Sequence, residues 1–76
     1  MRAYTYQIGA GVGDQMPSPS HAEALFADSL GEAIDKAKAV TRLRAPHANE
    51  TDVRIVETGG DEFPVWASTV EAIRAG

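Results

Sequence analysis

The chain has 76 residues, with seven lysines and arginines against eleven aspartates and glutamates, which gives a formal net charge of −4. A chain this short buries only about 60% of its unfolded surface, and without cysteine it has no disulfide or thiolate–zinc site to compensate. The acidity argues against nucleic acid as a direct ligand, and no apolar run reaches the ~20 residues of a membrane span.

The first predicted element is a strand over residues 2–8, where aromatic and β-branched residues alternate with small and polar ones. Tyr4, Tyr6 and Ile8 share one face of this strand. Residues 9–21 follow, and their glycines, prolines and serines cannot hold a helix. We therefore expect a long loop.

The loop opens with the glycine-rich run IGAGVGD, which raises the question of phosphate binding. A dinucleotide fingerprint needs Gly-x-Gly-x-x-Gly followed by a helix. Counted from Gly9, the third position is Asp14, and counted from Gly11 it is Met16. A carboxylate at Asp14 would repel phosphate, and the Gly-Lys-Ser/Thr of a P-loop does not occur. We expect the glycines to let the chain turn and expect no nucleotide cofactor.

A short strand over residues 22–27 and a helix after Ser29 are predicted from the pattern Ser-Leu-Gly-Glu. In a capping box the Ser29 hydroxyl accepts from the Glu32 amide, while the Glu32 side chain returns to the Ser29 amide. The helix is amphipathic and Pro46 ends it. Its predicted apolar stripe comprises Leu30, Ala33, Ile34, Ala37, Val40 or Thr41, and Leu43. Its basic residues indicate a solvated face: Lys36, Lys38, Arg42 and Arg44.

A hairpin is predicted where a strand over residues 52–58 precedes two glycines and a second strand over residues 63–67. Pro64 cannot donate to a strand ladder. We therefore expect the second strand at a sheet edge, or Pro64 at its start or at a bulge.

A second Ser-x-x-Glu pattern, from Ser68 to Glu71, could open a short C-terminal helix with Val70 and Ile73 toward the core. The predicted order is β-β-α-β-β, followed by that short helix. The predicted fold class is α+β, with a small antiparallel sheet packed on one main helix in a single domain over residues 1–76.

Trp66 is the only tryptophan, and it could lie on either face of the sheet. If Val65 and Ala67 face the helix, Trp66 lies beside Val56 on an open face and marks an interface. If Pro64 shifts the register, Trp66 belongs to the core and Val65 is exposed.

The sequence holds no constellation typical of an enzyme. The serines lack a Gly-x-Ser-x-Gly context, and Asp61 and Glu62 lie in a turn, where they would be solvated and untuned. His21 and His47 could bind a metal, but surface histidines on loops are the commoner case. We expect a non-enzymatic protein without metal or cofactor.

The run from Phe26 to Lys38 (FADSLGEAIDKAK) resembles the strand-to-helix segment of HicB-type antitoxins, although the Pro-Asp-Leu-Pro-Gly type stretch of that family is missing. That resemblance implies an antitoxin-like module that dimerises through an open sheet face or an edge strand. In size, acidity and lack of cysteine the chain is also similar to small phage-encoded inhibitors of the anti-CRISPR kind. This second resemblance implies binding to a host nuclease complex.

The leading hypothesis is a non-enzymatic protein-binding module, an inhibitor of the anti-CRISPR kind. Its acidic loops would dock on a basic partner surface, such as that of a CRISPR effector complex. The candidate partner-binding residues are Asp14, Glu57, Asp61, Glu62 and Trp66, with Glu50 and Asp52 in the same acidic loops. The alternative is the antitoxin-like or otherwise homodimeric module. In either case we expect a cytoplasmic protein that contacts neither membrane nor nucleic acid directly.

Overall fold

The computed structural model describes residues 1–11, 19–44, 50–60 and 63–75. Its elements are β1 (Arg2–Gly9), β2 (His21–Ala27), α1 (Leu30–Leu43), β3 (Asp52–Glu57), β4 (Pro64–Thr69) and α2 (Val70–Ala75). The predicted α+β class is confirmed, with four antiparallel strands, one main helix and a short C-terminal helix.

The strands form one antiparallel sheet in the order β2-β1-β3-β4. β1 is therefore central although it comes first in the chain, and Tyr6 lies between Glu23 of β2 and Ile55 of β3. β2 and β4 are the two edges. Because α1 connects β2 to β3, the chain crosses over β1 before it returns to the sheet.

The core lies between one face of the sheet and the two helices. The predicted inward face of β1 is confirmed, since Tyr4, Tyr6 and Ile8 are buried. From α1 the core receives mainly small side chains, Ala33 and Ala37, both fully buried. The largest fully buried side chains are Tyr6, Ile8, Ile55, Val53 and Thr41.

The predicted apolar stripe of α1 is wrong at Leu43, whose side chain is 88% exposed. Thr41 takes the inward position instead and is 1% exposed. At 3.6 residues per turn, Leu43 points roughly 200° away from Thr41, so both cannot face the sheet. The helix also ends at Leu43, which leaves this side chain in solvent.

The N-terminus of α1 follows the predicted capping pattern with one difference. The Ser29 hydroxyl accepts from the Glu32 amide at 3.2 Å, as expected. The Glu32 carboxylate accepts from the amide of Asp28 rather than from that of Ser29. Its other oxygen lies 3.4 Å from the Lys36 ammonium, four residues further along the helix. Pro46 lies outside the described residues.

The cap of α2 lies one residue later than predicted. The Thr69 hydroxyl, rather than that of Ser68, accepts from the Ala72 amide at 3.1 Å. Ser68 lies inside β4, where it pairs with Val53, whereas Thr69 is the last residue of the strand and directly precedes the first residue of α2. The predicted inward positions of this helix, Val70 and Ile73, are buried.

The hairpin between β3 and β4 begins with a turn in which the Gly60 amide donates to the Glu57 carbonyl at 3.1 Å. Gly59 has a φ of 82°, which the third position of a type II turn requires. Pro64 opens the edge strand β4, and the register shifts between Ile55 and Val56. The expectations of an edge strand and of a bulge are both confirmed.

Candidate protein-binding surface

The face of the sheet opposite the helices carries no covering element among the described residues, and we call it the open face. Strand alternation and register place on it Ala3, Thr5, Gln7, Ala22, Ala24, Phe26, Asp52, Arg54, Val56, Ala67 and Thr69. Most of these side chains are small. Phe26 is the large exception and is 53% exposed. Val65, at the bulge of β4, is also exposed.

The open face carries little free charge. Its two charged side chains, Asp52 and Arg54, are both engaged within the chain. The Arg54 guanidinium donates to the side-chain carbonyl of Gln7 on the neighbouring strand. The Asp52 carboxylate accepts from the Gly11 amide at 3.1 Å and from the Thr51 hydroxyl at 2.7 Å. Both charges of this surface are therefore bonded within the chain.

The structure decides the position of Trp66, which the sequence left open. Trp66 pairs with Ile55, packs against the core on the helix side and is partly buried. Val56 lies on the other side and pairs with Pro64. The alternative in which Trp66 and Val56 share the open face is wrong, because the bulge adds one residue to β4 between these two pairs.

The predicted acidic docking surface is changed at Glu50, whose side chain is buried rather than solvated. One Glu50 oxygen lies 2.8 Å from an Arg44 guanidinium nitrogen and also accepts from the Ser20 hydroxyl. Arg44, expected on a solvated helix face, is correspondingly half-buried. This pair joins the end of α1 to the segments that precede β2 and β3, so Glu50 has a structural role.

The other candidate acidic residues differ in their exposure and hydrogen bonding. Glu57 is exposed at the end of β3, opposite Tyr4. Asp52 is half-buried and hydrogen-bonded as described above. Asp14, Asp61 and Glu62 lie outside the described residues, so their part in binding stays a prediction.

His21, one of the two candidate metal ligands, lies at the start of β2. Its Nε2 atom is 3.8 Å from the Glu23 carboxylate, and its ring packs edge-on against Tyr6 with centroids 6.5 Å apart. His47 lies outside the described residues. In the described part of the chain, no three histidine, aspartate or glutamate side chains are grouped as a metal site. None of the helices described there has the length and apolar character to cross a membrane.

An open groove beside α2 is lined mainly by polar side chains: Glu50, Thr51, Asp52, Thr69, Val70, Glu71, Arg74 and Ala75. The two carboxylates at its floor, Glu50 and Asp52, are already bonded by Arg44 and by the Gly11 amide. These bonds hold the groove together, and they orient the carboxylates into the protein rather than toward a ligand.

The core contains a side chain with a shifted pKa, that of Tyr6. Burial raises the pKa of the Tyr6 phenol above its ordinary value, while the Thr41 hydrogen bond and the charge of Arg44 act in the opposite direction. This shift accompanies packing rather than a binding site, because the Tyr6 side chain is fully enclosed.

The sequence predicted an open sheet face as an interface but, beyond Trp66 and Val56, did not identify the residues that form it. The signal was present in β2, where Ala22, Ala24 and Phe26 alternate with His21 and Glu23. Only the register shows that these positions lie beside Ala3 and Thr5, and thus form one continuous uncharged area.

The chain matches no known family model, and no curated protein and no solved structure matches it.

Proposed function

We propose that this protein is a non-enzymatic protein-binding module whose open face docks on a partner protein. The observation that supports this most directly is the uncovered, nearly uncharged face of the sheet. Charged residues make up 24% of the chain, yet among the described residues of this face only Asp52 and Arg54 are charged, and both are bound within the chain. Apolar areas that stay exposed mark interaction sites, and the cores of interfaces are depleted of charge.

The partner that fits has an apolar patch bordered by basic residues. The chain carries a net charge of −4, and among its described acids Glu57 and Asp28 are exposed at the ends of β3 and β2. Opposite charges around an apolar contact speed association and suppress wrong partners. Asp14, Asp61 and Glu62 remain candidates for the same acidic border.

An inhibitor of the anti-CRISPR kind is the specific form of this proposal. Such a protein acts by binding, and it needs neither a cofactor nor a catalytic constellation. CRISPR effector complexes, whose nucleic-acid channels are basic, are therefore the first partners to test. Trp66 has no part in this docking, since its ring packs on the helix side of the sheet, opposite the open face.

The test is a binding measurement on purified effector complexes of several types, supported by quantitative affinity capture. Ala67→Arg puts a bulky charge on the open face, at a position that pairs with Arg54. Ala39→Arg makes the same change on an exposed position of α1 and is the matched control. We expect Ala67→Arg to weaken binding by about tenfold or more and Ala39→Arg to leave it unchanged.

Equal affinities of these two variants would exclude the open face as the docking site. If no effector complex binds, the anti-CRISPR form of the proposal is wrong. Affinity capture with the wild type and with Ala67→Arg gives the second outcome. If it also recovers no protein whose amount falls in the variant, the proposal of a binding module is wrong as a whole.

A further inference from the structure

The backbone hydrogen bonds of β1 show which groups of β2 point outward. The Thr58 amide donates to the Ala3 carbonyl, so the polar groups of Ala3 face β3. The Ser20 amide donates to the Ile8 carbonyl, so those of Ile8 face β2. In an antiparallel strand the N–H and C=O of one residue point to the same side, and the side alternates along the chain.

Three residues of β2 pair with β1 residues whose backbone N–H and C=O groups face β3. The backbone N–H and C=O groups of these three β2 residues therefore point away from β1, toward the outer edge of the sheet. They are Ala22, Ala24 and Phe26. The Lys36 ammonium confirms this direction independently, because it donates to the Phe26 carbonyl from outside the sheet. No other described residue bonds these outward groups. β2 thus presents an open edge.

The two edge strands of the sheet, β2 and β4, differ in how strongly they resist pairing with an additional strand. β4 begins with Pro64 and contains a register shift, and both features disfavour addition of another strand. β2 has an unbroken register with β1 and contains no proline or lysine, and among the described residues only Lys36 bonds one of its outward groups. Strand addition is therefore favoured at β2.

We propose that β2 pairs antiparallel with β2 of a second copy of the chain, which joins the two sheets into one. The two-fold axis passes through the pair of Ala24 residues, and Ala22 then lies opposite Phe26 of the second copy. All outward N–H groups of both strands gain acceptors in this register. On the open face, each exposed Phe26 ring covers a small Ala22 side chain. The interface is self-complementary, as a two-fold dimer requires.

Charge supports this register and this partner. Lys36 lies beside the Phe26 carbonyl on the helix side, where Glu23 of the second copy would be its neighbour across the seam. A register centred on Glu23 instead would place two carboxylates directly opposite each other, which is unfavourable. The second copy thus offers Lys36 a further carboxylate beside that of Glu32 in its own chain.

The first experiment measures the mass of the full chain in solution over a range of concentrations, by sedimentation or light scattering. We expect a dimer in the wild type. Ala24→Pro removes an outward N–H and leaves the bonds between β1 and β2 intact, so the dimer dissociation constant should rise by about tenfold or more. A wild type that stays monomeric at millimolar concentration, or a dimer unaffected by Ala24→Pro, would overturn the proposal.

A charge exchange provides a test that does not depend on how well Ala24→Pro folds. Lys36→Glu should weaken the dimer, because it places a carboxylate beside Glu23 of the second copy. Adding Glu23→Lys should restore the dimer, whereas a purely structural effect of Lys36 on its own chain would not be rescued. The amide of Ala24 should also exchange with solvent more slowly as concentration rises. No rescue together with concentration-independent exchange would exclude β2 as the interface.

Discussion

The hydroxyl of Tyr6 donates a hydrogen bond to the hydroxyl of Thr41 over 2.8 Å, linking the central strand β1 to the last turn of α1. The direction follows from the second bond of Thr41, whose own proton goes to the Ala37 carbonyl at 2.9 Å. Both hydroxyl groups lie inside the core. This pair therefore fixes how α1 sits on the sheet, on a helix whose other fully buried side chains are Ala33 and Ala37.

Thr41→Val should lower the free energy of unfolding by about 1–3 kcal/mol, because the buried Tyr6 hydroxyl loses its acceptor while the packing volume stays the same. Tyr6→Phe should cost less, about 1 kcal/mol, since Thr41 keeps its bond to Ala37. Urea denaturation measures both. The control is Thr5→Val, which breaks the exposed hydroxyl pair of Thr5 and Thr58. A cost at Thr5 equal to that at Thr41 would contradict the buried role.

Stability should fall at alkaline pH because of Tyr6. Its pKa is raised in the folded state by burial, so the unfolded chain releases this proton first as the pH rises. The contribution of Tyr6 to stability is complete below about pH 10, the ordinary tyrosine pKa, and is lost as the pH rises through the folded value. The measurement is the unfolding free energy from neutral pH to above pH 10 in the wild type and in Tyr6→Phe. Parallel curves would show that another group causes the alkaline loss.

Glu50→Gln should destabilise the protein by about 3 kcal/mol, since it leaves the half-buried Arg44 guanidinium without its opposite charge. Glu32→Gln makes the same chemical change in an exposed pair with Lys36 and should cost less than about 0.5 kcal/mol. Thermal and urea unfolding compare the two variants. If their costs agree, the Arg44–Glu50 pair behaves as a surface pair and its burial has no energetic consequence.

Two glycine substitutions should change stability in opposite directions. Gly59→Ala should cost about 1 kcal/mol because the backbone has a φ of 82°, which side chains disfavour. Gly31→Ala should add roughly 0.5 kcal/mol, since this glycine lies in the first turn of α1 with only the Ser29 hydroxyl near its missing side chain, at 3.9 Å. Melting temperatures of the two variants give the signs. A loss at Gly31 would point to a constraint on the helix start.

Local sequence patterns were sufficient to predict the strands and helices of this fold. Alternation around Tyr6 marked β1, the Ser29–Glu32 spacing marked the start of α1, and Pro64 marked an edge strand. Each of these features acts within a few residues, so each can be recognised without the rest of the chain. The order of the strands could not, because it depends on which distant segments pair.

The wrong predictions for Glu50 and Leu43 arose, like the unpredicted strand order, because local sequence patterns do not determine these contacts. Glu50 was predicted to lie in an acidic docking loop, yet Arg44 and Ser20 bond its carboxylate and its side chain is buried. Leu43 was predicted to be buried because it continues the apolar stripe of α1, but the helix places Thr41 toward the core and leaves Leu43 exposed. The open face required the register of β1 with β2 and β3, which no local pattern encodes.

The central position of β1 has a consequence for synthesis. During synthesis on the ribosome, β1 and β2 can pair as soon as α1 begins to emerge. The other edge of β1 stays unpaired until β3 has emerged. The Thr5 and Thr58 side chains that meet across this pairing are separated by 53 positions. Contacts between such distant residues form slowly. The nascent protein therefore becomes resistant to proteases only when β3 leaves the ribosome, and a translational pause before residue 52 would prolong its vulnerable state.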